Sequence, residues 1–231
     1  MIRLDCAAAL ALILASPALA QDKPDPAQAA RDAKLREVVL AVSGKQPQQA
    51  VSLVDPLLAE YESLYGGAKT PVYCDTEDAE TAAYKTLPGG AGARVVDGGW
   101  CIALWAKGFA MIDLEQLDGA VPYLERSVAL SPLHPHYLSE LGYAYQAQKK
   151  WQASYDLYAR AAEAAKREVG EQQKKSFRRA WFGMGFDLIE LGRLDEAEAL
   201  MKKCLELNPD DPKVKGEFDY ISEQRAKQKK S

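Results

Sequence analysis

Trp181–Pro209, WFGMGFDLIELGRLDEAEALMKKCLELNP, decides the fold. Apolar residues recur every three to four positions on both sides of a Leu-Gly-Arg-Leu-Asp break, which predicts two helices folded back on each other. Gly192 suits the left-handed conformation that ends a helix, and Asp195 is expected to cap the next one. Small residues at Gly185 and Ala197 imply close approach of the two backbones.

Outward from this stretch, the same spacing returns twice upstream. Leu138, Leu141, Gly142, Tyr145, Ser154 and Tyr158 form one copy; Leu104, Gly108, Met111, Ala120, Leu124 and Pro132 form another. Gly108 and Gly142 lie about 34 residues apart, and Gly142 and Gly185 about nine residues further apart than that. The surplus falls around Val169–Phe177, where a lengthened helix or a bulged turn is expected. Trp181, Gly185, Leu188, Ala197, Met201 and Pro209 follow W-x2-L-G-x2-Y, A-x3-F and P, and on these residues the chain resembles the tetratricopeptide repeat (TPR) family. Departures are Lys107, where leucine is usual, and the missing closing proline of the middle copy. The resemblance implies an all-α solenoid of about three helical hairpins, 101–134, 135–168 and 178–211, wound as a right-handed superhelix.

The flanks complete the solenoid. Residues 27–65 carry two apolar helical stripes, Ala30, Leu35, Val38, Val39, Val42 and Ala50, Val51, Val54, Leu57, Leu58, Tyr61, Leu64, broken at Ser43-Gly44 and restarted at Pro47. They predict a helical hairpin within 21–65, either a degenerate repeat or an unrelated cap, with Pro56 kinking its second helix. Residues 66–99 are glycine-rich and irregular, with one short helix over Thr76–Leu87. Asp211 and Pro212 open a last helix whose Val214, Phe218 and Ile221 form one stripe. With its opposite face charged, it is expected to close the domain 100–228.

Length and composition set the class. The chain has 231 residues, 48% hydrophobic and 27% charged, with net charge −4. That suits a globular helical protein, and points neither to nucleic acid nor to an anionic membrane as partner. Arg3, the apolar run Ala7–Ala15 and Ala18-Leu19-Ala20 read as a cleaved leader over 1–20, so a periplasmic protein beginning at Gln21 is expected. No later run is long enough to span a bilayer. In an oxidising compartment Cys74 and Cys101, near the two ends of the irregular stretch, read as a disulfide pair; two buried thiols are the alternative. Cys204 reads as a buried, inert thiol.

No catalytic motif is present: no C-x-x-C, G-x-S-x-G or H-E-x-x-H. His134 and His136 flank Pro135 in a turn and lack further ligands at metal-site spacing, so no metal and no cofactor is expected. In TPR arrays the first helix of each hairpin lines the concave groove. The resemblance therefore places Trp105, Phe109 and Ile112, His136 and Tyr143, and Phe182 and Phe186 there, with Ile102, Ser139, Gln146, Arg179 and Ile189. Two readings of this aromatic stripe stay open: a groove for an apolar segment of a partner protein, or a core covered by residues 27–65 or by the long loop 66–99. The lysines and asparagines with which some TPR proteins clamp a terminal carboxylate are missing. The function expected is a non-enzymatic, exported adaptor for a protein or peptide in envelope assembly or maintenance. The alternative is an accessory to periplasmic redox or metal chemistry using Cys74, Cys101, His134 and His136.

Overall fold

The computed structural model describes residues 25–75 and 78–229. The leader expected over 1–20 and the Thr76 cap lie outside the described residues. Ten helices and one small ribbon follow in the order α1 (Pro26–Ser43), α2 (Pro47–Tyr65), β1 (Val72–Asp75), α3 (Asp78–Tyr84), β2 (Arg94–Asp97), α4 (Gly99–Asp113), α5 (Leu117–Leu130), α6 (Pro135–Ala147), α7 (Trp151–Ala165), α8 (Gly170–Glu190), α9 (Leu194–Leu207) and α10 (Pro212–Gln228). The fold is an all-α TPR solenoid. The hairpins α1–α2, α4–α5, α6–α7 and α8–α9 stack in sequence, and the first helices α1, α4, α6 and α8 touch one another in turn, with α10 packed on α8 and α9.

One turn builds all four hairpins. Lys45, Glu115, Lys149 and Gly192 each take a left-handed conformation, with φ 54°, 59°, 59° and 75°. The next residue's N–H then reaches back five positions: Gln46 to Ala41, Gln116 to Met111, Lys150 to Tyr145 and Arg193 to Leu188. This is the Schellman arrangement, which satisfies carbonyls that the helix end leaves free. Four residues after each such N–H stands a small, fully buried side chain, Ala50, Ala120, Ser154 or Ala197. Four further on stands a large buried one, Val54, Leu124, Tyr158 or Met201. Residues 27–65 thus share both the turn and the packing positions of the other three hairpins.

The structure corrects the sequence reading at several points. Asp195 is not the N-cap of α9; the helix starts at Leu194 and Asp195 lies in its first turn, where its charge favours the helix dipole instead. The cap of α10 is Asp211, which accepts from the N–H groups of Lys213 and Val214. At Gly185 an added Cβ would meet the terminal methyl of Met201 at 2.7 Å, with backbone no nearer than 3.6 Å. The tight site is Gly183, whose added Cβ would fall 2.4 Å from the Tyr158 ring. The surplus after residue 169 is taken up by α8, which runs 21 residues where α4 and α6 run 15 and 13. Lys107, at the usual leucine position, is buried and its Nζ reaches Asp55 of α2 at 2.6 Å.

The stretch read as irregular holds a parallel pair, β1 with β2, in register from Val72 with Arg94 to Asp75 with Asp97. Parallel strands need a crossover, and α3 with a 3₁₀ turn at Gly90–Gly92 supplies it. Four-residue strands are too short to show a period of two. Cys74 on β1 and Cys101 on α4 form a disulfide with Cα atoms 6.1 Å apart. The Ser131 hydroxyl after α5 donates to the Cys74 carbonyl, tying the ribbon to the solenoid.

Candidate functional site

The first helices present their inner faces along one concave surface, where two cavities open. The C-terminal cavity, about 530 Å³, is lined by Tyr143, Gln146 and Ala147 of α6, Trp151 and Tyr158 of α7, Arg178, Arg179, Phe182 and Phe186 of α8, and Lys213 and Glu217 of α10. The N-terminal cavity, about 780 Å³, is lined by Val42, Ser43, Lys45 and Pro47 around the first turn, with Trp105, Phe109, Asp113, His136, Glu140 and Arg179. Arg179 lines both.

Six of the seven groove residues expected from the sequence fall on these walls: Trp105, Phe109 and His136 on one, Tyr143, Phe182 and Phe186 on the other. Ile112 lines neither; it packs half-buried against the core. Ile102 lines a separate apolar depression with Leu35, Val39 and Leu40 of α1. Ser139 and Ile189 are buried. The end of α1 therefore forms the wall of the N-terminal half without filling the C-terminal half. Tyr143, 48% exposed, faces solvent there.

Between the cavities lies a polar cluster built around the buried Glu140. Arg179 donates through Nη2 to Glu140 Oε1 at 2.8 Å, and through Nη1 to His136 Nδ1 at 3.2 Å. A guanidinium only donates, so Nδ1 accepts and the imidazole is neutral, its proton on Nε2 facing Glu140 Oε1 at 3.6 Å. Burial first, then the Arg179 charge, pushes His136 down to about 4. Burial pushes the Glu140 carboxyl up, opposed by Arg179 and by the Trp105 indole. The bonds to Glu140 and His136 fix Arg179 on the groove floor, and the Trp105 ring packs against the His136 imidazole with centroids 5.1 Å apart. Deeper in, Asp187 accepts from Gln146 Nε2 at 3.1 Å.

Sequence reasoning missed Arg178, Lys213, Glu217, Trp151 and Glu140. The i, i+4 pair His136–Glu140 was visible as a pattern. Lys213 and Glu217 needed the knowledge that α10 docks in line with the first helices. His134 and His136 are not joined by further ligands: no group of three or more His, Cys, Asp or Glu that could hold a metal occurs among the described residues. Both disulfide sulfurs are buried, away from the groove. No helix among the described residues is long and apolar enough to cross a membrane.

Residues 178–211 match the sequence profile of the tetratricopeptide repeat. Among solved structures, PilF of Pseudomonas aeruginosa superposes with a TM-score of 0.60 at 13% identity, covering 88% of this chain and 72% of that one. MamA from MSR-1 superposes with a TM-score of 0.56 at 20% identity, covering 87% and 90%. The described helices thus share the fold of tetratricopeptide repeat proteins, and residues 178–211 carry the sequence pattern of one such repeat. At these identities the two structures establish the shared fold alone. No curated protein matches the sequence significantly.

Proposed function

We propose that the protein is a non-enzymatic adaptor, exported to the periplasm, that holds a segment of a partner protein in its concave groove during assembly or upkeep of an envelope complex. The observation that carries the groove reading is the C-terminal cavity, where Tyr143, Phe182 and Phe186 converge from α6 and α8 and none of the described residues is laid over them. Aromatic anchors in a preformed concavity are the usual source of binding energy at such surfaces. Export rests on the leader-like residues 1–20 and suits a disulfide-bearing chain. Phe182 also packs against the α9–α10 cluster, so exposed Tyr143 is the cleaner probe. Residues 21–231 are immobilised and used to capture partners from an envelope extract. Tyr143→Ala is expected to weaken capture by about 1–3 kcal/mol while moving stability by no more than about 0.5 kcal/mol. Undiminished capture by Tyr143→Ala and Phe182→Ala alike places the binding surface elsewhere.

A further inference from the structure

The charges of the C-terminal cavity are sorted by depth. Arg178 is 30% exposed and its counter-ion Asp211 6%; Arg179 is 39% exposed and its counter-ion Glu140 3%. Each acid thus sits behind its arginine, and the guanidinium is what meets the groove. Lys213, exposed on the first turn of α10, has no ion-pair partner among the described residues. Glu217, the one carboxylate on this wall, has its Oε2 buried out of solvent contact, and burial raises its pKa. Beside the aromatic rings, the charged surface offered to a ligand therefore consists chiefly of donors, two guanidinium groups and one ammonium, while the Gln146 N–H groups are committed to the Gly183 carbonyl and to Asp187. Such a surface is complementary to carboxylates, since charge-assisted bonds to guanidinium are the strong ones and a basic ligand would be left unpaired.

From this we infer that the groove selects a partner segment in which an aspartate or glutamate lies next to a large apolar side chain. The apolar group enters between Tyr143, Phe182 and Phe186, and the carboxylate meets Arg178, Arg179 and Lys213. The acid is a side chain within the segment and not a chain terminus. Arg179 lines both cavities, so a segment paired to it continues on either side into space that the described residues leave open. This inference rests on the groove reading above.

The test begins with a displayed library of random twelve-residue segments selected on residues 21–231. Selected segments are then synthesised with both ends blocked, as acid and as amide (Asp→Asn, Glu→Gln) versions. The expected result is enrichment of an acid within a few positions of an aromatic or large aliphatic residue. The amide version should bind about tenfold more weakly, Lys213→Glu should weaken only the acid version, and raising salt should narrow the difference. Tyr143→Ala should weaken acid and amide versions equally. Neutral or basic selected segments, or equal binding of acid and amide, overturn the charge inference while leaving the groove reading in place if Tyr143→Ala still weakens binding. Binding that requires a free C-terminal carboxylate overturns the choice of an internal acid. Segments indifferent to Tyr143→Ala, or a selection that yields none, overturn both readings.

Discussion

Asp187 has no contact with solvent, and one of its oxygens, Oδ2, has no hydrogen-bond partner. Burial pushes its carboxyl up from 3.8 to about 7, against the pull of Ser154 and Gln146, with Glu190 adding to the rise. Between about pH 4 and 7 the folded chain therefore keeps a proton that the unfolded chain releases, and stability falls as pH rises through that window. Asparagine keeps the acceptor for Gln146 and cannot ionise. Relative to Asp187→Asn, the parent is expected to lose about 2–4 kcal/mol between pH 4 and pH 8, read from urea unfolding at both ends. Parallel pH profiles for the two proteins would show that Asp187 ionises normally. Its neighbours Phe186 and Gln146 line the groove, so a carboxyl chosen for stability alone is an odd occupant of that place. Locally costly groups tend to sit beside functional surfaces.

At the scale of elements, the ribbon β1–β2 with its crossover interrupts the run of hairpins, and it is held at three points. Cys74 is bonded to Cys101, Ser131 donates to the Cys74 carbonyl, and Asp97 at the end of β2 accepts from the Gly99 N–H at the start of α4. A bond across a sequence separation of 27 restrains the unfolded chain by about 3–4 kcal/mol in the chain-entropy treatment. Replacing both cysteines by alanine is expected to lower stability by about that much while the helical circular dichroism of α4 to α10 persists. Loss of helicity under native conditions would mean that the ribbon nucleates the solenoid. The hairpins were legible in the sequence because each repeats a small residue, a large one and a turn at fixed distances. The ribbon was not, because VYCD and RVVD are paired across a crossover that no local pattern announces. The first hairpin was half legible: Ala50 and Val54 match the frame, but Val38 stands at the position where α4, α6 and α8 carry glycine, and Lys45 holds a left-handed turn that glycine would have advertised.

Over the whole molecule, stability in a stack of hairpins is a sum of each unit and its contacts with the next, so the ends matter out of proportion to their size. At the N-terminal end α1 shows solvent Leu40, 70% exposed. At the C-terminal end α10 covers the last hairpin: Val214 and Ile221 are buried with Leu188, Ile189, Met201 and Cys204, and Arg178 of α8 is bonded to Asp211 at the helix cap. The stripe Val214, Phe218 and Ile221 was readable from spacing. The two side chains that α10 gives to the groove, Lys213 and Glu217, were not, because only the stacking direction aims them there. Ending the chain after Pro209 therefore does two things at once. It uncovers the apolar face of α8–α9 and strips the counter-ion from Arg178, leaving α6–α7 and the hairpins before it with their own contacts. Hydrogen exchange in the truncated protein is expected to show α8 and α9 losing protection by at least about tenfold, while α4 to α6 change little. The loss should decay hairpin by hairpin toward α1, as nearest-neighbour coupling requires. If protection instead falls uniformly along the chain, the solenoid unfolds as one unit and α10 is part of a single core, not a cap on the last repeat.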